Sequence, residues 1–369
     1  MKFGFPAVVS ATLLGATFAR RPDFNLSGYA TLAGGTTGGA GGTVTNVTTR
    51  DELLAAVKGH SPKIIYVLGN VGGSTTTRMS VGNNTQVSTT ERITHAPKLL
   101  HRSIIGVGDS AIIEGGGFSI NKASNVIIRN LIIRKVVNND GITVLQSNNV
   151  WIDHNEFYSD TEHGFDYYDG QVDITLGSDY VTLSWNKFHD HYKSSLIGSS
   201  EKNGAQDTGH FKITYHHNSW NNVHTRTPAL RFGTVHLYNN LVENVVSQGI
   251  HTRSYGQALV QANVFQNVTE PISTYGFVIP DDSPVSHSPK FNGQLSQPYF
   301  QIDPDGDYEP DGFANESSKL EFLDNLYINS GKNNITQTGN FTSVPYSFKA
   351  DSPYLVKAMV EKYSGVGKI

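Results

Sequence analysis

The amino-acid sequence predicts an all-β protein, a right-handed parallel β-helix with a short N-terminal capping helix and a C-terminal packing helix. Two observations lead to this prediction. Glycine contributes 37 of the 369 residues and charged residues only 16%, which is typical of ordered, turn-rich chains rather than of disordered or coiled-coil ones. In addition, six segments of alternating apolar and polar residues recur between positions 125 and 265.

Each recurring segment ends in a polar stretch that contains an asparagine. Strict alternation indicates β-strands, and a repeat of 20 to 50 residues indicates stacked supersecondary units. Because asparagine tolerates the left-handed backbone conformation and can bond its neighbour, we expect these residues to stack in a column at one corner of the coils. A β-propeller or sandwich is the alternative, which the scarcity of Asn-Gly and Asp-Gly turns disfavours. The six asparagines are Asn130, Asn155, Asn186, Asn218, Asn240 and Asn263.

The two ends of such a stack need covers, because an open coil exposes its apolar interior. Thr49 and Glu52 have the spacing of a capping box just before an apolar stretch, which predicts a short helix over the first coil. Residues 353–363 place Val356, Met359 and Val360 at helical spacing, which predicts a helix packed on the barrel. Residues 280–312 are rich in Pro, Asp, Ser and Gly and are expected to form irregular loops.

Residues 1–19 are predicted to be a secretory signal peptide, with residues 20–369 forming one extracellular domain. Lys2 precedes an apolar run from Phe3 to Phe18, which is the pattern of such a signal. A transmembrane anchor is the alternative, but the run is short for a membrane span and Arg20 follows it closely. Glycosylation at exposed loops is expected in a secreted chain, and the acceptor sequons begin at Asn25, Asn46, Asn83, Asn267, Asn315, Asn334 and Asn340.

Cysteine content and net charge exclude several classes of function. The chain has no cysteine, which excludes disulfides, zinc-thiolate sites and thiol catalysis. Its formal net charge is −4 and its pI is near 6.4, so it lacks the basic field that recruits nucleic acid. We therefore expect no nucleic-acid or membrane partner, and any polyanionic ligand has to be held by local cations or by a metal.

Three carboxylates occur at a spacing that suits a shared site. Asp169 and Asp173 are separated by four residues, with Gly170 permitting a bend between them, and Asp140 precedes Asp169 by 29 residues, about one coil. Stacking of the coils is expected to bring all three together. Ligands with oxygen donors only favour calcium over zinc. From spacing alone, a solvated acidic surface is an equally good interpretation.

Basic residues follow on the next coils, and here the chain becomes recognisable. It resembles the pectate lyases of polysaccharide lyase family 1, in the pectate/pectin lyase superfamily, from about residue 28 to residue 369. The motifs that carry the resemblance are WIDH from Trp151, the DG-x-x-DI element from Asp169, KSSLIGSS from Lys193, and R-x-P-x-x-R-F-G from Arg226. The resemblance implies a parallel β-helix, a monomer, calcium dependence, and cleavage of polygalacturonate by β-elimination.

The resemblance also implies roles for individual residues. Asp140, Asp169 and Asp173 match the calcium ligands of the family, and Arg226 matches its proposed catalytic base. Lys193 and Arg231 match the groups that hold the uronate carboxylate, and Arg253 matches a substrate-contacting arginine. The chain departs from many members at Asn138, where they have another acidic ligand, and at Thr175 and Ala229, where some carry further basic residues.

The chemistry explains why these residue types are needed. The proton at carbon 5 of a galacturonate lies next to a carboxylate that resists further negative charge, so a bound cation and fixed positive groups are required. Three alternatives remain: a pectin lyase acting on methyl-esterified chains, a non-catalytic carbohydrate-binding β-helix, and a glycoside hydrolase with paired carboxylates. Asp153 and the histidines, including His216 and His217, are interpreted as structural.

Overall fold

The computed structural model describes residues 22–72, 79–82, 98–274, 292–295, 300–302, 324–335 and 339–369. The predicted signal peptide lies outside the described residues, as does most of the predicted irregular region, 280–312. Two of the sequons, at Asn83 and Asn315, also lie outside them.

Strands dominate the described part of the chain and pair in two sheets, with every strand-to-strand pairing parallel. The first sheet contains Thr43–Val47, Lys63–Val67, Lys98–Gly106, Ala123–Arg129, Asn148–Asp153, Asp179–Ser184, Lys212–His216, Thr234–Tyr238, Gln257–Gln261 and Asn292–Leu295. The second sheet contains Met79–Gly82, Ile112–Glu114, Phe118–Asn121, Ile132–Arg134, Ile142–Leu145, Glu156–Tyr158, Gly170–Thr175, Lys187–Ile197, Ser219–Thr225, Ala229–Arg231, Leu241–Arg253, Val264–Ser273, Phe300–Ile302 and Leu326–Ile328.

Each strand of the first sheet hydrogen-bonds to the strand that lies one coil later in the chain. The polypeptide therefore winds as a solenoid, and parallel connections of this kind are right-handed in nearly all proteins. The predicted right-handed parallel β-helix is confirmed. Its interior is filled by stacked apolar side chains, such as Phe157 on Phe188 at 5.0 Å and Phe188 on Trp220 at 5.1 Å between ring centroids.

Five of the six predicted asparagines form a hydrogen-bonded column. The column continues to Asn325, which was not predicted. From Asn155 through Asn263, each side-chain Nδ2 donates to Oδ1 of the next asparagine at 2.9 to 3.0 Å, and the last donates to Asn325. Asn130 departs from the column, because its amide donates to the carbonyls of Gly106 and Gly108.

We expected the six asparagines to adopt the left-handed backbone conformation. This expectation is wrong for all of them except Asn130, which has φ 59°. In the other coils the left-handed residue is the one before the asparagine, for example His154 at φ 51° and Ala262 at φ 52°. The asparagine backbone N–H is used differently: that of Asn155 donates to Oδ1 of Asn186 at 3.0 Å. Side-chain bonding between coils, rather than tolerance of a strained backbone, therefore explains why asparagine recurs there.

Both predicted terminal helices are present. Helix α1 spans Arg50–Ala56 and begins with a capping box, in which the Glu52 N–H donates to Thr49 Oγ1 at 3.2 Å and the Thr49 N–H donates to Glu52 Oε2 at 3.1 Å. Two short elements that the sequence did not predict, a 3₁₀ turn at Glu201–Asn203 and helix α2 at Gly204–Asp207, follow one another beside the second sheet. A further 3₁₀ turn spans Tyr29–Thr31.

Helix α3 spans Pro353–Tyr363 and packs against the last coils of the solenoid. Val356 and Val360 are fully buried in a cluster with Leu241 and Val264, and Lys357 Nζ contacts Glu243 Oε1 at 2.6 Å. The predicted packing role is confirmed. Among the described helices, each is too short or too polar to cross a membrane.

Candidate active site

The register of the second sheet brings the predicted site residues onto neighbouring coils. Gly170 lies opposite Lys193, and Asp173 lies opposite Leu196. Leu196 in turn lies opposite Ala229, and Arg231 lies opposite Arg253. Adjacent strands are about 4.8 Å apart. Residues that are far apart in the sequence therefore share one outer face of the solenoid.

Asp140 and Asp173 converge on either side of Gly170. The Gly170 N–H donates to Asp140 Oδ1 at 2.9 Å, and the Leu196 N–H donates to Asp173 Oδ1 at 3.1 Å. A Cβ atom at position 170 would lie 2.3 Å from Asp173 Oδ1 and 3.1 Å from Asp140 Oδ1. The absence of a side chain at this glycine thus keeps open the space between the two carboxylates.

The two carboxylates form a negative site in which each charge affects the other. Burial raises the pKa of Asp173 well above its usual range, and the charge of nearby Asp140 raises it further. The Arg226 guanidinium lowers the pKa of Asp173, while the Asp169 charge raises it. Like charges held this close favour either a shared proton or a bound cation. Oxygen donors of this type suit a hard cation such as Ca²⁺.

The Asp169 side chain lies beside Lys193 rather than in one group with Asp140 and Asp173. This side chain is 51% exposed and its Oδ1 lies 3.2 Å from Lys193 Nζ. In the described ranges, no three His, Cys, Asp or Glu side chains are grouped closely enough to hold a metal by themselves. The positive charge of Lys193 provides the physical reason, since an ion pair draws the exposed carboxylate toward the ammonium group.

The His191 side chain forms a hydrogen bond with the backbone of Asp169. Its Nε2 lies 2.7 Å from the Asp169 carbonyl oxygen. Burial lowers the pKa of His191 to about 4, so the ring is neutral at neutral pH and donates its single N–H to that carbonyl. The sequence alone did not distinguish this supporting role from that of the other histidines.

Lys193 is a buried cation with three negative or aromatic neighbours. Its side chain is 8% exposed, and Nζ lies 2.8 Å from Asp166 Oδ1 as well as near Asp169. The ammonium group also lies 5.2 Å from the ring centroid of Phe165, which is a cation–π distance. Asp166, whose side chain is 87% exposed, is a site residue that the sequence analysis missed.

Arg226 follows directly after the strand Ser219–Thr225 and adopts φ 70°. Its backbone is held by two coils, because its carbonyl accepts from the Ser195 N–H at 2.9 Å and its N–H donates to the Gln248 carbonyl at 3.3 Å. Its charge lowers the pKa of both Asp173 and Asp166. The guanidinium is therefore close enough to act electrostatically on the carboxylates of the site.

Arg231 and Arg253 add two further positive charges near Arg226. Glu201 contacts Arg231. Arg231 Nε and Nη2 each lie 2.6 Å from Glu201 Oε1, and Nη1 donates to the Gly198 carbonyl at 2.8 Å. Burial and the charges of Arg231 and Arg226 lower the pKa of Arg253 to about 9. The sequence analysis missed Glu201, because no motif marks the short 3₁₀ turn that carries it.

Asp153, His216 and His217 are buried and make contacts within the fold, as the structural interpretation expects. Asp153 is fully buried and contacts His154 Nδ1 at 2.7 Å and Arg129 Nε at 2.6 Å. His216 and His217 are buried, with Nδ1 atoms 3.0 Å apart. Burial lowers the pKa of both rings, so they remain neutral within the fold.

The family model for pectate lyase matches residues 1–369 of this chain. The chain belongs to the pectate lyase family. Membership identifies it as a polysaccharide lyase, and the parallel β-helix described above is the fold of its structural neighbours. The acidic pair and the row of cations therefore lie on the fold of a pectate-cleaving enzyme.

Relatives from fungi and bacteria support this assignment. The chain is 43% identical over 265 residues to pectate lyase A of Aspergillus niger, covering 71% of this chain and 76% of that one. It is 34% identical over 353 residues to the pectate trisaccharide-lyase of Bacillus licheniformis, covering 94% and 88%. A solved pectate lyase from Bacillus sp. N165, in complex with trigalacturonate, superposes with a TM-score of 0.72 at 30% identity over 93% of this chain and 99% of that chain.

Proposed function

We propose that the chain is a secreted, calcium-dependent pectate lyase. It cleaves the α-1,4 linkages of polygalacturonate by β-elimination and releases 4,5-unsaturated oligogalacturonides. The observation that carries the proposal is the approach of Asp140 and Asp173 across Gly170, beside a row of cations on the adjoining coils. A negatively charged polymer bridged by a cation fits this distribution of charge.

Asp140 and Asp173 are the residues we assign to calcium, with Asp169, which pairs with Lys193 in this structure, as a third ligand. The Asp140–Asp173 pair fits a hard cation, because both groups offer oxygen and burial leaves Asp173 with an unfavourable charge. When bound, calcium neutralises part of the uronate charge and acts as a Lewis acid. Since few protein oxygens converge, we expect the substrate carboxylate to contribute to tight calcium binding.

Basic residues of the chain hold the substrate and move its proton. Lys193 and Arg231 bind the carboxylate of the reacting uronate, and Arg253 contacts a neighbouring part of the polymer. Arg226 takes the proton from carbon 5 in its neutral form, because a charged guanidinium has no site that can accept a proton. The electron pair then forms the double bond between carbons 4 and 5, the bond from carbon 4 to the glycosidic oxygen breaks, and the departing oxygen is protonated from solvent. Positive groups already in place stabilise the charge that develops at the carboxylate.

We further propose that residues 1–19 direct secretion and that residues 20–369 act as a monomer. The support is the apolar run that follows Lys2. Five sequon asparagines are exposed in the structure and suit glycosylation: Asn25, Asn46, Asn267, Asn334 and Asn340. The N-terminal sequence and the mass of the secreted protein, before and after deglycosylation, test these assignments.

A single assay separates the proposed activity from its alternatives. Polygalacturonate is incubated with the protein, with and without a chelator, while the ultraviolet absorbance of unsaturated product is followed. A pectate lyase gives absorbance that the chelator abolishes. Sugar release without new absorbance indicates a hydrolase, and chelator-insensitive absorbance on esterified pectin indicates a pectin lyase. No product from either polymer indicates a binding protein.

A further inference from the structure

The cations assigned to the substrate carboxylate already contact carboxylates of the protein. Lys193 contacts Asp166, and Arg231 contacts Glu201. The two carboxylates differ in exposure, since the Asp166 side chain is 87% exposed whereas that of Glu201 is 26% exposed. Solvent weakens an exposed ion pair much more than a partly buried one. The Glu201–Arg231 contact is therefore the stronger obstacle to an incoming anion.

The contact uses the edge of Arg231 that best fits a carboxylate. Nε and Nη2 point to the same Glu201 oxygen at 2.6 Å, while Nη1 is committed to the Gly198 carbonyl. The edge formed by Nε and Nη2, called the fork below, is the side of a guanidinium that recognises carboxylates with two parallel hydrogen bonds. A uronate carboxylate and Glu201 cannot use it at the same time.

Local structure holds Glu201 beside Arg231. The Lys202 N–H donates to Ser200 Oγ at 3.2 Å, which caps the 3₁₀ turn that begins at Glu201. At the far end of the following helix α2, Asp207 is buried and accepts from the Gly177 N–H at 2.9 Å. The segment is therefore capped at its start and hydrogen-bonded to the solenoid at its end, so that rotation of the Glu201 side chain is enough to release the fork.

We propose that Glu201 is an internal competitor for the substrate carboxylate at Arg231, and that it lowers the affinity for free uronate. This proposal rests on the proposed function, because it takes Arg231 as a uronate-binding residue. An ionised carboxylate can replace Glu201 on the fork with bonds of equal kind. A neutral ester is a weaker acceptor, so it leaves Glu201 on the fork, and Glu201 therefore weakens the binding of free uronate more than that of the ester.

Kinetics of Glu201→Gln test the proposal. Glutamine keeps the side-chain length but loses the charge, so we expect the KM for polygalacturonate to fall by about fivefold with kcat changed less than twofold, the size of effect typical of a weakened charge-assisted contact. The preference for polygalacturonate over highly esterified pectin, as a ratio of kcat/KM, is expected to grow by up to the same factor, because the ester does not compete with Glu201 for the fork. Glu114→Gln is the matched control, since Glu114 pairs with Arg134 at 2.7 Å on another strand row, and it leaves both quantities unchanged.

A role in positioning Arg231 predicts the opposite result. If Glu201 only orients the guanidinium, both Glu201→Gln and Glu201→Ala raise KM, and the proposal is overturned. It is also overturned if KM and the substrate preference stay unchanged. Thermal unfolding of each variant identifies any general loss of structure.

Direct binding separates this proposal from the proposed function. Trigalacturonate binding is measured by calorimetry with calcium present, in an Arg226→Ala background, with and without Glu201→Gln. Tighter binding with Glu201→Gln supports internal competition even if the unchanged chain releases no unsaturated product, a result that would refute only the proposed function. Equal or weaker binding refutes the competition.

Discussion

The backbone N–H of Gly170 donates to Oδ1 of Asp140 at 2.9 Å, although the two residues belong to different coils. The same glycine leaves the space into which Asp173 projects. One residue thus orients the first carboxylate through its backbone and admits the second by having no side chain. The proposed calcium site depends on both properties.

Gly170→Ala is expected to weaken calcium binding more than it weakens the fold. The new Cβ would lie 2.3 Å from Asp173 Oδ1, so the carboxylate has to move out of the site. We expect the calcium concentration for half-maximal lyase activity to rise at least tenfold, measured by titrating calcium in the absorbance assay. Gly164→Ala is the control, because a Cβ there meets nothing within 4 Å. An unchanged calcium requirement in Gly170→Ala would remove Asp173 from the metal site.

Arg226→Lys is expected to lower kcat by about 100-fold or more, the scale of effect typical for loss of a general base. The charge is retained, but the planar guanidinium and its reach are not. Initial rates on polygalacturonate are measured across pH, with Arg50→Lys in helix α1 as a control outside the site. Near-normal turnover of Arg226→Lys at every pH would require another base.

Asp207→Asn is expected to stabilise the protein at neutral pH. Burial raises the pKa of Asp207 to about 6 even though the Gly177 N–H lowers it, whereas an unfolded aspartate titrates near pH 4. Between about pH 4 and about pH 6, the unfolded state releases this proton first, so the native chain loses stability as pH rises. The asparagine variant avoids that loss.

Urea unfolding at pH 4, 5, 6 and 7 measures this effect. We expect the stability advantage of Asp207→Asn to grow up to about pH 6, in line with the raised pKa of Asp207, and then to level off. An advantage that is constant over this range would show that Asp207 is ionised at all four pH values in the native protein.

Asn218→Ala is expected to destabilise the solenoid by about 3 kcal/mol, because it leaves buried polar groups without partners. Asn218 accepts from the Asn186 amide at 2.9 Å and donates to Asn240 at 3.0 Å and to the Leu183 carbonyl at 3.0 Å. Chemical denaturation gives the change in free energy of unfolding. Asn244→Gly is the control: Asn244 is exposed at φ 54°, which glycine tolerates. If both variants lose the same free energy of unfolding, the buried asparagine column contributes no more to stability than an exposed asparagine does.

Sequence periodicity was sufficient for the architecture but not for the details of its corners. The column from Asn155 to Asn263 follows from repeated asparagines, since each coil supplies the same group to the next. Its continuation to Asn325 was not predicted, because 62 residues separate this residue from Asn263, far more than the earlier spacing. The capping box at Thr49 and Glu52 was predicted because both partners lie within one helical turn.

Within the proposed site, motifs identified the residue types but not their contacts. Lys193, Arg231 and Asp173 could be named from motifs, but Glu201 and Asp166 have no local signature. Their importance arises from their distance to two cations, at 2.6 and 2.8 Å. The departure of Asp169 toward Lys193 has the same origin, because spacing along the chain contains no information on which opposite charge lies nearest in space.

The sequence by itself determined the solenoid, the two terminal helices and the family, because each depends on short-range patterns that repeat or occur as contiguous motifs. Only the tertiary structure decided which carboxylates converge, which one turns away, and which glutamate holds the fork of Arg231. These outcomes depend on the register between coils and on burial, which set the distances between charges and the solvent around them. Electrostatic energies vary steeply with both quantities.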